Sequence, residues 1–158
     1  MTGRLRHLAF TVPDLEGAER YYASLFQMQV VTREAWIDGS SRQLPHDLGW
    51  VDAKARGIEL YMLAMRRGRI VLVLFDEASP RVRARGVPRR PMIVGLHLTA
   101  REIAEVEKRL GSEEQWQTAQ QGSRRLCTID DRYGITWQLD TNPDFVGVGD
   151  GSGRWLGT

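Results

Sequence analysis

Histidine and cysteine are scarce in this chain, so each one is a candidate for chemistry. His7 and His97 stand in the alternating segments RHLAFTV and GLHLT, where an imidazole can bind a metal, act as a general base or hydrogen-bond a ligand. A hydrogen bond to a ligand is the preferred interpretation of His7, and the same alternatives apply to His97. His46 lies in a polar stretch and is predicted to be a solvated loop residue.

Cys127 and the Asp130-Asp131 pair carry less promise of catalysis. No histidine stands beside Cys127 in the sequence to activate its thiol, and a single cysteine cannot form an internal disulfide. We therefore predict a small strand residue. The two aspartates precede Arg-Tyr-Gly134 between apolar segments, which is typical of a hairpin turn rather than of paired catalytic carboxylates.

Composition limits the classes of protein to consider. The chain has 158 residues, 42% hydrophobic and 27% charged, which favours one folded domain or two small modules over disorder. No apolar run approaches the roughly 20 residues of a membrane span, and the start MTGRLRHLAF lacks the apolar region of a signal peptide. We therefore expect a cytoplasmic protein with no membrane partner. The net charge of only +2 argues against a nucleic-acid partner.

The elements that must position these residues follow one plan twice. Each half is predicted to begin with a strand, a helix and a second strand, and to end in a hairpin. Apolar spacing from Leu15 to Phe26 predicts the first helix, and Thr99 with Glu102 forms the capping box of the second. The hairpin strands are predicted at 58–65, 69–75, 124–129 and 135–140.

Both halves are therefore predicted to be βαβββ modules, and the fold class to be α+β. The connector between them is rich in proline and arginine, without the interleaved aromatics of a nucleic-acid patch. The tail motif GVGDGSG lacks the strand and helix of a dinucleotide site. We predict a first module at 1–78 with an insertion at 36–57 containing a short helix, a linker at 79–91, a second module at 92–142 and a Gly-rich tail at 143–158.

With this plan in place, three segments resemble a known group of proteins. HLAFTVPDL from His7, ERYY before LFQM, and DRYGITWQL from Asp131 are similar to the vicinal oxygen chelate superfamily, which includes glyoxalase I, bleomycin and fosfomycin resistance proteins and extradiol dioxygenases. The resemblance spans roughly residues 4–142. It implies two modules that curl their sheets into a cup, with helices outside and a ligand inside.

The resemblance and the strand alternation together imply which side chains face the cup. Trp137 is assigned to the core between sheet and helix, whereas Trp36, Trp50, Trp116 and Trp155 either line a cavity or form a dimer contact. Arg69 is a further candidate for orienting an anion. The predicted ligand-binding residues are His7, Thr11, Val71, Val73, Phe75, Gly95, His97 and Gln138.

Metal-dependent relatives place one ligand on each of four strands. Here the resemblance puts His7, Val73, Gly95 and Gln138 at those places. Val73 and Gly95 offer no donor and Gln138 only a neutral amide, whereas a hard divalent cation prefers imidazole and carboxylate. We expect no metal cofactor. The minority alternative is a Mn, Fe, Ni or Zn ion held by His7 with Gln138, or by His7 with His97, and water.

The resulting functional hypothesis is a homodimer that binds a small aromatic or anionic organic molecule in the cup without a catalytic metal. The alternative is a divalent-metal-dependent lyase, isomerase or dioxygenase of the same superfamily, so the sequence leaves enzymatic activity open. A third hypothesis is an interaction module with no small-molecule ligand.

Overall fold

The computed structural model describes residues 7–84 and 92–143 of the chain. The chain divides into two compact units, and the division between Arg89 and Arg90 falls inside the predicted linker 79–91. Linker residues 85–91 and the predicted tail from residue 144 onward lie outside the described residues. Within the described residues, every helix is too short or too polar to cross a bilayer.

The first unit contains one mixed sheet of five strands. Its elements are β1 (Leu8–Val12), α1 (Leu15–Phe26), β2 (Gln29–Ile37), β3 (Ser40–Gln43), α2 (Trp50–Ala55), β4 (Leu60–Arg67), β5 (Ile70–Asp76) and α3 (Pro80–Ala84). The strand order is β1-β5-β4-β2-β3, with β1 parallel to β5 and the other pairs antiparallel. The insertion 36–57 contains the expected short helix, α2, and also β3, which the sequence did not indicate. The segment predicted as a linker begins with the helix α3.

The second unit repeats this pattern without the insertion. Its elements are β6 (Met92–His97), α4 (Ala100–Glu107), β7 (Gln115–Gln121), β8 (Arg124–Asp130) and β9 (Ile135–Asp140). The strand order is β6-β9-β8-β7, again with one parallel pair, β6 and β9. Two mixed sheets built on one plan confirm the predicted α+β class.

Side-chain caps stabilise the first turn of both α1 and α4. The Asp14 carboxylate accepts a hydrogen bond from the Gly17 N–H at the start of α1, and both bonds of the Thr99–Glu102 capping box are present at the start of α4. α4 ends at Glu107, about two turns after its N-cap Thr99. The apolar stripe predicted for α1 is buried in full: Leu15, Ala18, Tyr22, Leu25 and Phe26.

Each sheet buries one side beneath a helix. In the first unit Arg33 pairs in register with Leu63 and bonds Glu19 of α1, which places α1 on the Leu63 side. In the second unit Arg125 bonds Glu107 of α4 from the side that carries Cys127. We call these sides the helix-facing layers; their fully buried members are Leu63, Met65, Leu72 and Leu74 in the first unit and Cys127, Ile129, Trp137 and Leu139 in the second.

Candidate functional site

The opposite side of each sheet is called its open face, and the first open face is largely apolar. Val71, Val73 and Phe75 alternate along β5 with the buried Leu72 and Leu74, and all three are half-buried, as the alternation predicted. On β1, Ala9 lies beside Val73 and Thr11 beside Phe75. On β4, Arg66 lies beside Val71, Ala64 beside Val73 and Met62 beside Phe75.

His7 and Thr11 lie at one edge of this face. Thr11 is half-buried on β1, next to Phe75. His7 immediately precedes β1 and is exposed. The face therefore combines a band of aliphatic and aromatic side chains with polar groups at its margins.

A polar cluster lies at the other edge, where β2, β3 and β4 meet. The Tyr61 hydroxyl donates to Glu34 Oε2 at 2.9 Å, and Ser41 Oγ donates to the same oxygen at 2.7 Å. Ser41 Oγ and the Tyr61 hydroxyl are themselves 2.7 Å apart. A register shift in the β2–β4 pairing between Glu34 and Ala35 places the Tyr61 side chain beside Glu34. The indole ring of Trp36 lies 6.4 Å from the Tyr61 ring, edge to face.

The second open face is polar. Gly95 pairs in register with Gln138, and His97 pairs with Asp140. Both Gly95 and His97 are exposed, and Gln138 is half-buried. Along the next strand Thr128 lies opposite Gln138, and the Thr136 hydroxyl donates to Asp130 Oδ1 at 2.5 Å. This face therefore offers amide, hydroxyl and imidazole groups where the first offers hydrocarbon.

Asp140 is held as a carboxylate on that face. Arg124 Nε donates to both of its oxygens, at 3.0 and 3.1 Å, and Arg124 Nη2 also contacts Oδ2. Burial raises the pKa of Asp140, but the Arg124 guanidinium and the Asn142 N–H outweigh that effect, so the pKa lies below its usual value. The same pairing raises the pKa of Arg124. Asp140 is therefore a fixed charge beside His97.

The structure thus brings the predicted residues together in two groups. Thr11, Val71, Val73 and Phe75 share the first open face, with His7 at its margin. Gly95, His97 and Gln138 share the second.

The polar cluster of Glu34, Ser41 and Tyr61 was not predicted from the sequence. The spacing Glu34-x-Trp36 was a usable signal that these two side chains share one face of a strand. The shift that brings in Tyr61 has no sequence signature here.

The strand register also revises the places assigned to metal ligands. The resemblance makes Val73 and Gln138 equivalent places. Ala9 lies opposite Val73 in the first unit and Gly95 lies opposite Gln138 in the second, so on that alignment Ala9 and Gly95 correspond. His7, two residues before Ala9, therefore corresponds to Ile93 and not to Gly95.

At the revised places the first unit offers one imidazole, from His7, and the second unit offers one amide, from Gln138. Val73 and Ile93 contribute only hydrocarbon, and the Ile93 side chain is 67% exposed. Across residues 7–84 and 92–143, His, Cys, Asp and Glu side chains form no group of three or more suited to a metal ion. The residues present do not fit a divalent cation, which needs more hard donors.

Comparison with known proteins bears on the fold. No protein-family model matches the sequence, and no curated protein matches it. Among solved structures, lactoylglutathione lyase from Agrobacterium tumefaciens is 18% identical with a TM-score of 0.55, over 89% of this chain and 94% of that one. The fosfomycin resistance protein FosX from Mesorhizobium loti is 14% identical with a TM-score of 0.56, over 90% and 94%. A bleomycin resistance determinant encoded on transposon Tn5 is 12% identical with a TM-score of 0.51, over 89% and 99%.

At these identities the likeness shows the fold. The described chain has the fold of the glyoxalase and bleomycin resistance proteins, the vicinal oxygen chelate fold, as the sequence motifs predicted. Because one fold hosts many activities, its function has to be argued from the side chains on the open faces.

Proposed function

We propose that the protein binds a small aromatic or anionic organic molecule on its first open face, without a catalytic metal. The observation that carries this proposal is the band formed by Val71, Val73, Phe75 and Met62, whose side chains remain partly exposed on the side of the sheet opposite α1. Apolar side chains in such a band bind planar or hydrocarbon groups by removing them from water. Arg66, exposed and opposite Val71, is placed to pair with an anionic group.

The test is a screen of aromatic acids and antibiotics against chelator-treated protein, read as a rise in melting temperature. Val73→Glu puts a charge in the middle of the band and is expected to abolish the rise. Val51→Glu is the matched control, because Val51 is 79% exposed on α2 and outside the band. A ligand that stabilises both variants equally would refute binding at this face.

The metalloenzyme alternative is tested by elemental analysis of protein purified without chelators. Near-stoichiometric Mn, Fe, Ni or Zn that is lost in His7→Ala would overturn the metal-free proposal. Dimerisation and a cytoplasmic location stay predictions, and sedimentation at several protein concentrations tests the first.

A further inference from the structure

The polar cluster of Glu34, Ser41 and Tyr61 holds one carboxylate oxygen and leaves the other available. Both hydroxyl groups converge on Glu34 Oε2. Within the described residues, Glu34 Oε1 accepts no hydrogen bond and Glu34 forms no ion pair. A carboxylate has about four lone-pair sites, so a half-buried one with two bonds on one oxygen keeps acceptor capacity on the other.

Nearby cations do not neutralise this charge. Arg33 precedes Glu34 in β2 but points to the opposite side of the sheet, where it bonds Glu19 of α1 through Nε at 2.8 Å and Nη2 at 2.5 Å. Arg42 lies opposite Ala35, so its side chain is on the other side of the sheet from Glu34. Ala35 belongs there to a buried apolar cluster with Leu48 and Ala53 of the insertion. The first open face therefore carries a negative charge at this edge although the chain has a net charge of +2.

Aromatic rings flank the same carboxylate. Trp36 follows Glu34 by two residues, so both side chains lie on the same side of β2, and Ser41 is the register partner of Trp36. Tyr61 packs edge to face on Trp36 with an interplanar angle of 70°. A carboxylate next to an indole is a combination that attracts a cation by charge and by the quadrupole of the ring.

We infer that Glu34 and Trp36 form a binding site for a protonated amine carried by the ligand. Met62 of β4 lies between this site and the rest of the apolar band, because it is the register partner of Glu34 on β2 and of Phe75 on β5. An arylalkylamine can therefore place its ammonium group at Glu34 and its ring over Met62 and Phe75. This inference rests on the proposed function in its aromatic form and adds that the ligand carries a positive charge at Glu34.

Two probes test it, 2-phenylethylamine and 2-phenylethanol, which share the phenylethyl group and end in an ammonium and a neutral hydroxyl, respectively. Each is titrated at neutral pH into isotope-labelled protein, and dissociation constants are taken from shifts of backbone amide resonances. The amine is expected to bind about tenfold more tightly than the alcohol, with the largest shifts around Glu34, Trp36 and Met62.

Glu34→Gln keeps an acceptor for Ser41 and Tyr61 but removes the charge, and is expected to bring the amine to the affinity of the alcohol. Trp36→Leu is expected to weaken the amine by about two- to fivefold. Glu59→Gln is the control, since Glu59 is exposed just before β4 and loses the same charge. Melting temperatures within a few degrees of wild type confirm that each variant is folded.

The outcomes separate the two proposals. If amine and alcohol bind the apolar band equally, or Glu59→Gln weakens the amine as much as Glu34→Gln does, the amine site is refuted and the proposed function stands. If neither probe shifts any resonance of the first open face at millimolar concentration, both proposals are overturned.

Discussion

The two open faces occupy equivalent places in two sheets of the same topology, yet their chemistry differs. On the alignment that makes Val73 and Gln138 equivalent, Phe75 on β5 corresponds to Asp140 on β9, and their partners Thr11 and His97 correspond on the parallel first strands. Hydrocarbon at these positions in the first unit is replaced by an amide and a carboxylate in the second. The first face is suited to apolar contact, and the second to hydrogen bonding.

The helix-facing layers show no such divergence. Leu72 corresponds to Trp137 and Leu63 to Cys127, and all four side chains are fully buried. A buried layer loses stability when a polar group enters it without a partner, so its positions stay apolar in both units. An open face carries no such packing requirement, which is why its residues are the better guide to function.

The largest expected effect is a loss of stability when a buried side chain of β9 is truncated, compared with truncation on the open face of the same strand. Leu139→Ala removes a fully buried side chain and is expected to lower the free energy of unfolding by about 2–5 kcal/mol. Gln138→Ala, one residue away on the open face, should cost less than about 1 kcal/mol. Urea denaturation measures both, and Leu74→Ala is the counterpart in the first unit. Equal costs for Leu139 and Gln138 would contradict the assignment of core and open face.

An effect of intermediate size on stability is expected for Asp140, and it should depend on pH, unlike that of its apolar equivalent Phe75. The pKa of Asp140 is lowered in the folded protein, so the stabilisation by its carboxylate is present at neutral pH and is lost as the pH falls below the ordinary aspartate value of about 4. Asp140→Asn is expected to cost about 1–3 kcal/mol at pH 7, and the difference from wild type should shrink in acid.

Phe75→Leu is the control for that measurement, because the equivalent position in the first unit carries no charge. Its effect on unfolding should be the same at pH 7 and pH 3. An Asp140→Asn effect that persists unchanged in acid would show that the variant acts through packing and not through the Arg124 pair.

Cys127, the counterpart of Leu63 in the second helix-facing layer, should be protected from alkylation in the folded protein. Burial, followed by the neighbouring Glu107 carboxylate, raises the pKa of its thiol to about 11. Native protein at pH 8 should react with iodoacetamide at least about 100-fold more slowly than urea-unfolded protein, whose thiols titrate near 8.5. Mass spectrometry of the alkylated chain follows both rates. Rapid labelling of the native state would reopen the nucleophile interpretation.

Several features could be predicted from sequence because they depend on neighbours along the chain. The stripe of α1, the Thr99 capping box and the alternation of Val71, Val73 and Phe75 all follow from helical or strand periodicity. Asp131 was rightly placed in a turn, where its carboxylate accepts from Tyr133, Ile135 and the Trp137 indole.

Other features depend on pairing between distant strands and were missed. The equivalence of His7 with Gly95 was wrong by two residues, because the register is fixed by the partners of β1 and β6 and not by motif spacing. The strand β3 has an exposed polar sequence, SSRQ, without alternation. Its Ser41 becomes part of the Glu34 cluster only through pairing with β2.

The sequence by itself determined the duplicated module and its buried layers, since these follow from periodicity and residue type. Tertiary structure alone decided which polar groups meet: a register shift between β2 and β4 brings Glu34, Ser41 and Tyr61 together from three strands. Strand register is set by interactions summed over a whole sheet, so local spacing along the chain does not reveal it.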